Sequence, residues 1–232
     1  MLGAVSAFKA YDIRGIAGED ITTDFSRRLG RAIVEFAQAT SIAVGRDIRS
    51  SGESLKAALI QGIVESGCTV VDLGIVPTGV VYRSTVDLNV DSAIAITASH
   101  NPPEYNGFKI VHKGLPVAGE DLQRLKAIYE SPDQGKANSP GTILSMSEYH
   151  HTVIDAIVQD VGPLARRVSV AVDSANAVPG PFIMELCDKL GVDLVDLNCT
   201  WDQRSPAHPA DPTRPENMIQ LSDLVANSDC EF

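Results

Sequence analysis

Two periods of apolar and polar residues take turns along this chain. Residues 24–39, DFSRRLGRAIVEFAQA, carry apolar side chains at helical spacing with Asp24 in the first turn, which predicts an amphipathic helix. Residues 41–47, SIAVGRD, form a short apolar run ending in polar groups, as a buried parallel strand does. A helix is expected over 51–67, with Ser51 as its N-cap and Gly67 as its stop. A strand over 68–75, a helix over 78–88 opened by Pro77, and a strand over 92–99 come next. The run 108–114 reads as a strand joined to the last by a tight loop, and 119–130 as a helix. Residues 131–141, SPDQGKANSPG, have linker composition. A helical pattern then covers 147–162, and the alternation restarts at 167–177, RVSVAVDSANA. Strands alternating with helices imply an α/β fold with a mainly parallel sheet.

The restart repeats the earlier unit. Each copy has a strand ending in Asp (Asp47, Asp173), a turn rich in small residues and an amphipathic helix. Each helix stops at Gly (Gly67, Gly191), and a strand containing Val-Asp-Leu succeeds it. This reads as an internal repeat of one βαβ unit. The expected architecture is two similar, mixed but mainly parallel βαβ domains, 1–140 and 141–232, the second incomplete at its C-terminus. In the first copy the strand after the next helix delivers Ser99. In the second that helix is 215–227, and its strand would begin near Cys230, just before the sequence ends.

Composition narrows the function classes. At 44% hydrophobic and 21% charged, the chain can build real cores. A net charge of −11 argues against nucleic-acid or anionic-membrane binding, though local cations can still hold an anionic ligand. The four cysteines form no C-x-x-C pair and sit in or beside apolar segments, which suits buried thiols in a reducing compartment. The first residues lack a basic start, and no run of about 18 apolar residues occurs. A cytoplasmic protein, monomeric or weakly dimeric, is expected.

The chemistry concentrates in residues 93–110, AIAITASHNPPEYNGFKI. An apolar strand ends in Thr97-Ala98-Ser99-His100-Asn101, and Pro102 and Pro103 stiffen the next stretch of backbone. Gly107 is expected to supply a φ that other residues resist. In open α/β sheets ligands bind beyond the carboxyl ends of the strands, where Ser99 lies. A serine hydrolase would favour G-x-S-x-G, which is absent, and His100 on extended chain would point away from Ser99. Phosphoryl transfer fits better, since it needs a hydroxyl, cations around the phosphate and a proton carrier. Lys109 comes just after the loop, and Arg14, Arg46 and Arg49 stand in other loops beside Asp12 and Asp47, which are placed to orient them.

TASHNPPEYNGFK (97–109) resembles the active-site serine loop of the α-D-phosphohexomutase family, in its phosphomannomutase/phosphoglucomutase branch. FKAYDIRG (8–15) and VGRDIRSSG (44–52) are similar to that branch's opening segments, and VDSANAVPGPF (172–182) and HPADPTRPENM (208–218) to its second domain. The resemblance implies that Ser99 carries a phosphoryl group and exchanges it with a hexose 1- or 6-phosphate through a bisphosphate intermediate. It implies proton transfer by Lys109, stabilisation of the phosphoserine by Arg14, His100 nearby, and Asn101 shaping the phosphate-binding loop. It also implies Mg²⁺ between the Ser99 phosphate and three aspartates of an Asp-x-Asp-x-Asp loop, with a hexose 1,6-bisphosphate as activator. That loop is not among these 232 residues, so weak metal binding and little turnover are expected of this chain alone.

Other residues carry blander expectations. Arg46 and Arg49 are expected to brace loops, Asp173 and Asn176 to stabilise a turn, and Trp201 to pack at a domain edge. His150, His151 and His208 show no metal-ligand spacing. Two rival functions stay open: a non-catalytic binder of phosphosugars or of a partner, and a serine hydrolase.

Overall fold

A computed structural model describes residues 6–132 and 137–232. Residues 133–136 of the expected linker, and residues 1–5, lie outside the described residues. The chain divides into two compact units, Met1–Ala98 with Pro103–Ser147, and Ser99–Pro102 with Glu148–Phe232.

The first unit runs β1 (Ile13–Ile16), α1 (Thr23–Ala37), β2 (Ser41–Arg46), α2 (Gly52–Glu65), β3 (Thr69–Ile75), α3 (Thr78–Asp87), β4 (Ser92–Ile96), β5 (Tyr105–His112), β6 (Leu115–Pro116), α4 (Gly119–Glu130) and β7 (Ile143–Ser145). Its sheet has the order β1-β5-β4-β2-β3-β7, with β6 beside β5. β2 pairs parallel with β3 and β4, and β3 parallel with β7, whereas β5 pairs antiparallel with β1 and β4. Strand β7 is not legible in the sequence: it is short and exposed, so it lacks the apolar run of its neighbours.

Local chemistry accounts for these elements. Thr22 caps α1, its hydroxyl accepting from the Phe25 amide at 3.1 Å. Ser51 does not cap α2 with its side chain; its Oγ instead accepts from Asn106 Nδ2 at 2.9 Å. Phe8, Phe25, Phe108 and Tyr129 form an aromatic cluster in the core, with ring centroids 4.9–6.1 Å apart. α1 and α2 touch backbone to backbone: a Cβ on Gly62 would lie 1.9 Å from Arg27 O, and one on Gly30 2.4 Å from Leu59 O. At the rim of this contact Arg27 and Arg31 both bind Glu65, and the Arg27 hydrogen bond leads in lowering the Glu65 carboxyl to about 2.

The second unit contains α5 (Tyr149–Val161), β8 (Ser169–Asp173), α6 (Pro179–Leu190), β9 (Asp193–Leu197), a 3₁₀ turn (Pro215–Met218) and α7 (Ile219–Ala226). β8 and β9 pair in parallel, Ser169 opposite Asp193 through Asp173 opposite Leu197. Glu231 N donates to Ser169 O at 2.9 Å and Ala171 N to Phe232 O at 2.8 Å. β8 therefore lies between β9 and residues 231–232, as β2 lies between β3 and β4. The repeated βαβ unit read from the sequence is present in the fold, and a strand-like pairing starts near Cys230. No helix among the described residues is long and apolar enough to cross a membrane. All four cysteines are free; Cys68 and Cys199 are buried, and burial first pushes the Cys68 thiol up to about 12.

The helix contact gives a direct test. Gly62→Ala forces a methyl into the Arg27 carbonyl, and the first unit is expected to lose about 2 kcal/mol or more in urea unfolding. Gly79→Ala, where an added Cβ meets nothing within 4 Å, serves as the control and is expected to change little.

Candidate active site

The carboxyl ends of β2 and β4 and the start of β5 are tied together by one buried carboxylate. Asp47, 9% exposed, comes directly after β2. Its Oδ2 accepts from Thr97 Oγ1 at 2.6 Å and from Arg49 Nε at 3.2 Å, and its Oδ1 accepts from the Arg49 amide at 2.9 Å. Arg49 NH1 then donates to Tyr105 O at 2.9 Å, which reaches the far end of the serine loop. Fully buried Asn106 spans the same corner, donating to Ser51 Oγ and accepting from the Gly107 amide at 2.8 Å. Arg46 holds Glu53 and donates to Asp47 O at 2.9 Å. Both arginines brace loops, as expected.

Ser99 lies two residues beyond Thr97. Its φ is +55°, in the left-handed region that a non-glycine residue rarely occupies. The sequence places stiffness in the prolines and left-handed freedom in Gly107. Gly107, however, is not among the residues with positive φ. It is needed for space, because a Cβ there would lie 2.2 Å from Ile13 O across the β1–β5 pair. Since Ser99 is left-handed, the extended-chain picture of Ser99 and His100 does not apply either.

On the neighbouring pair of strands Arg14 sits opposite Gly107 in β1, and Lys109 stands two residues further along β5. The structure brings these two cations together on Asp12: Lys109 Nζ lies 3.6 Å from Asp12 Oδ2, and Arg14 NH2 3.7 Å from Asp12 Oδ1. Both distances exceed a hydrogen bond, and Asp12 Oδ1 is buried without one. Tyr82 on α3 also feels Asp12: burial first, then that charge, pushes its phenol up. Tyr82 carries no motif that would single it out. Ser99, His100 and Asn101 belong to the short segment grouped with the second unit.

The second unit repeats the theme at its own strand end. Asp173, ending β8, accepts from the Ala175 amide at 2.8 Å and from Asn198 Nδ2 at 3.3 Å, and its Oδ2 meets His208 Nε2 at 2.8 Å. The Asp173 hydrogen bond is the main cause that raises the His208 pKa above its ordinary 6.5. Asn176 donates to Thr200 O and accepts from the Ala207 amide, both at 2.9 Å, as a turn-stabilising residue would. Sequence spacing does not single out His208, because its partner stands 35 residues away. Two hydrogen bonds from Thr213 lead in lowering the Asp211 carboxyl, and the field of His100 adds to them. Trp201 Nε1 donates to Val178 O at 3.2 Å.

Asp12 and Asp47 do not make a magnesium site. Asp12 faces two cations, and both Asp47 oxygens are occupied by Thr97 and Arg49. A hard cation wants several free oxygens, and these residues do not offer them.

Residues 5–136 match the family description "Phosphoglucomutase/phosphomannomutase, alpha/beta/alpha domain I", and residues 148–232 match domain II of the same family. A phosphomannomutase/phosphoglucomutase of Pseudomonas aeruginosa is 39% identical over 97% of this chain and 48% of its own length. A phosphoglucomutase of Neisseria gonorrhoeae is 37% identical over 97% of this chain and 49% of its own. Among solved structures, a phosphoglucomutase/phosphomannomutase family protein of Burkholderia thailandensis superposes with a TM-score of 0.90 at 36% identity, over 98% of this chain and 51% of that one. The chain thus spans about half the length of the curated relatives it matches.

Two substitutions probe this geometry. Asp47→Ala removes the acceptor of three donors and the carboxylate half of a largely buried ion pair with Arg49, so the first unit is expected to lose about 3 kcal/mol or more on chemical unfolding. The His208–Asp173 pair stabilises the second unit fully below pH about 6.5, and this contribution fades as pH rises through the raised folded-state pKa of His208. Thermal melts across that range should therefore show a stability loss toward high pH that His208→Gln reduces; an unchanged pH dependence in the variant would refute the assignment.

Proposed function

We propose, since the chain belongs to the phosphoglucomutase/phosphomannomutase family, that Ser99 Oγ is a phosphoryl carrier in the interconversion of hexose 1-phosphate and hexose 6-phosphate. The observation that carries this reading is the left-handed Ser99, next to a polar brace that fixes both ends of its loop. A hydroxyl held on rigid backbone is what positioned covalent transfer requires. The mutase reaction as a whole, its hexose substrates and its bisphosphate activator are part of the same proposal.

In the forward step the sugar hydroxyl oxygen bonds to phosphorus, and the bond from phosphorus to Ser99 Oγ breaks. The Lys109 ammonium gives a proton to Ser99 Oγ as that bond breaks and takes the hydroxyl proton of the sugar in its place, so the lysine ends the step charged as it began. The bisphosphate formed turns over, and Ser99 Oγ takes up the phosphoryl group from the other position. Arg14 supplies positive charge toward the phosphate oxygens, which carry most of the charge in such a transfer. Asp12 holds both cations by ion pairs too long to be hydrogen bonds, so either can shift to a phosphate without breaking one. His100 and Asn101, next in sequence to the carrier, complete its loop. Free cysteines agree with a cytoplasmic setting.

Incubation with glucose 1,6-bisphosphate, followed by intact-mass and peptide mass spectrometry, tests the carrier. One phosphate on Ser99, lost in Ser99→Ala and strongly reduced in Lys109→Met, is the expected result. Phosphate elsewhere, or uptake by Ser99→Ala, would overturn it. Because Asp12 and Asp47 do not offer magnesium several free oxygens, the 232-residue chain alone is expected to show little turnover of hexose 1-phosphate in a coupled assay.

A further inference from the structure

Outside the serine loop, one cluster of ligating side chains is assembled by the fold rather than by sequence spacing. His150 and His151 sit in the first turn of α5, and Glu185 comes from the middle of α6, which packs against it. One ligand atom from each of the three lies within 4.8 Å of the other two, the single such group among the described residues. The two imidazoles are tilted 39° to each other with centroids 3.9 Å apart. His151 Nδ1 meets Glu185 Oε1 at 2.7 Å, and its Nε2 meets Glu148 Oε2 at 3.1 Å.

We infer that His150, His151 and Glu185 form a binding site for one divalent transition-metal ion of the zinc class, with Glu148 orienting the His151 ring. Zinc takes imidazole nitrogens and carboxylate oxygens at about 2.0–2.2 Å, which sets its ligand atoms roughly 3.3–3.5 Å apart. The His151–Glu185 pair needs to open by under about 1 Å, and the widest separation to close by roughly 1–1.5 Å. Movements of that size are within reach of partly exposed side chains. Two nitrogens and one oxygen select zinc, cobalt, nickel or copper over magnesium, which prefers oxygen alone. A carboxylate accepting the far N–H of a ligating imidazole is the usual support for such a ligand, and Glu148 stands at that position.

The hydrogen bonds around His151 show which contacts an ion would replace. The ring lies between two carboxylates, and the Glu185 hydrogen bond leads in raising its pKa. Lys189 also reaches Glu185, at 3.1 Å, but it holds Asp155 at 2.6 Å and can stay there. Metal and proton compete for the His151 ring, so binding should tighten as pH rises. The titratable groups around His151 in this cluster are Glu148, Glu185, His150, Lys189 and Asp155.

The test uses the tag-free chain with excess Mg²⁺, titrated with Zn²⁺ by calorimetry and with Co²⁺ by visible absorption. One equivalent is expected, with a Co²⁺ spectrum of low coordination number. His150→Ala and Glu185→Gln should each weaken binding at least tenfold, whereas Ser99→Ala should leave it unchanged. In the unaltered chain, Zn²⁺ should shift the imidazole NMR signals of His150 and His151, a readout independent of how the variants fold. Affinity unchanged in both variants, as ligation by Cys187 or Cys230 would give, would overturn the proposal. So would an ion that Mg²⁺ displaces, or unperturbed imidazole signals.

Discussion

The structure around the serine loop depends on the burial of one negative charge. Asp47 sits almost out of solvent at the end of β2, where an ionised carboxylate is tolerated only if its oxygens are filled. Thr97 from the end of β4 and Arg49 from the next turn fill them, and Arg49 carries the link on to Tyr105 at the start of β5. Three strands that meet at one edge are thereby locked into one register. The chain between Thr97 and Tyr105 has both ends fixed, and this allows Ser99 to hold a left-handed φ that a free loop would relax.

The same solution appears twice. In each repeat a strand ends in an aspartate whose oxygens collect donors from the turn beyond it. In the first unit the aspartate binds an arginine and a threonine; in the second it binds a histidine and an asparagine. The exchange of arginine for histidine makes the second corner sensitive to pH where the first is not built to be, because only the histidine changes charge near neutrality.

Much of this is legible in the sequence. The alternation of strands and helices, the repeat, and the bracing by Arg46 and Arg49 come from residue type and spacing, since short-range periodicity and buried apolar runs report directly on the sheet. Ser99, Arg14 and Lys109 are each singled out by a motif, although Asp12, the common partner of Arg14 and Lys109, has to be seen in space. The features that stay hidden depend on distant approach. The sequence suggests a left-handed φ for Gly107, whereas its constraint is the Ile13 carbonyl across the sheet. Strand β7 is exposed and three residues long, so no hydrophobic pattern marks it. His208 and His151 acquire partners 35 and 34 residues away, which no local spacing announces.

The polar brace, rather than the prolines alone, sets the geometry of Ser99. Thr97→Val probes this, because it keeps the shape of the side chain and removes only the hydroxyl that reaches Asp47 at 2.6 Å. The measurement is the rate of phosphoryl uptake at Ser99 from a hexose 1,6-bisphosphate, followed by mass spectrometry on folded protein. A fall of at least about tenfold is expected, equivalent to about 1.4 kcal/mol in the barrier. Uptake at the unaltered rate would show that the brace does not position Ser99.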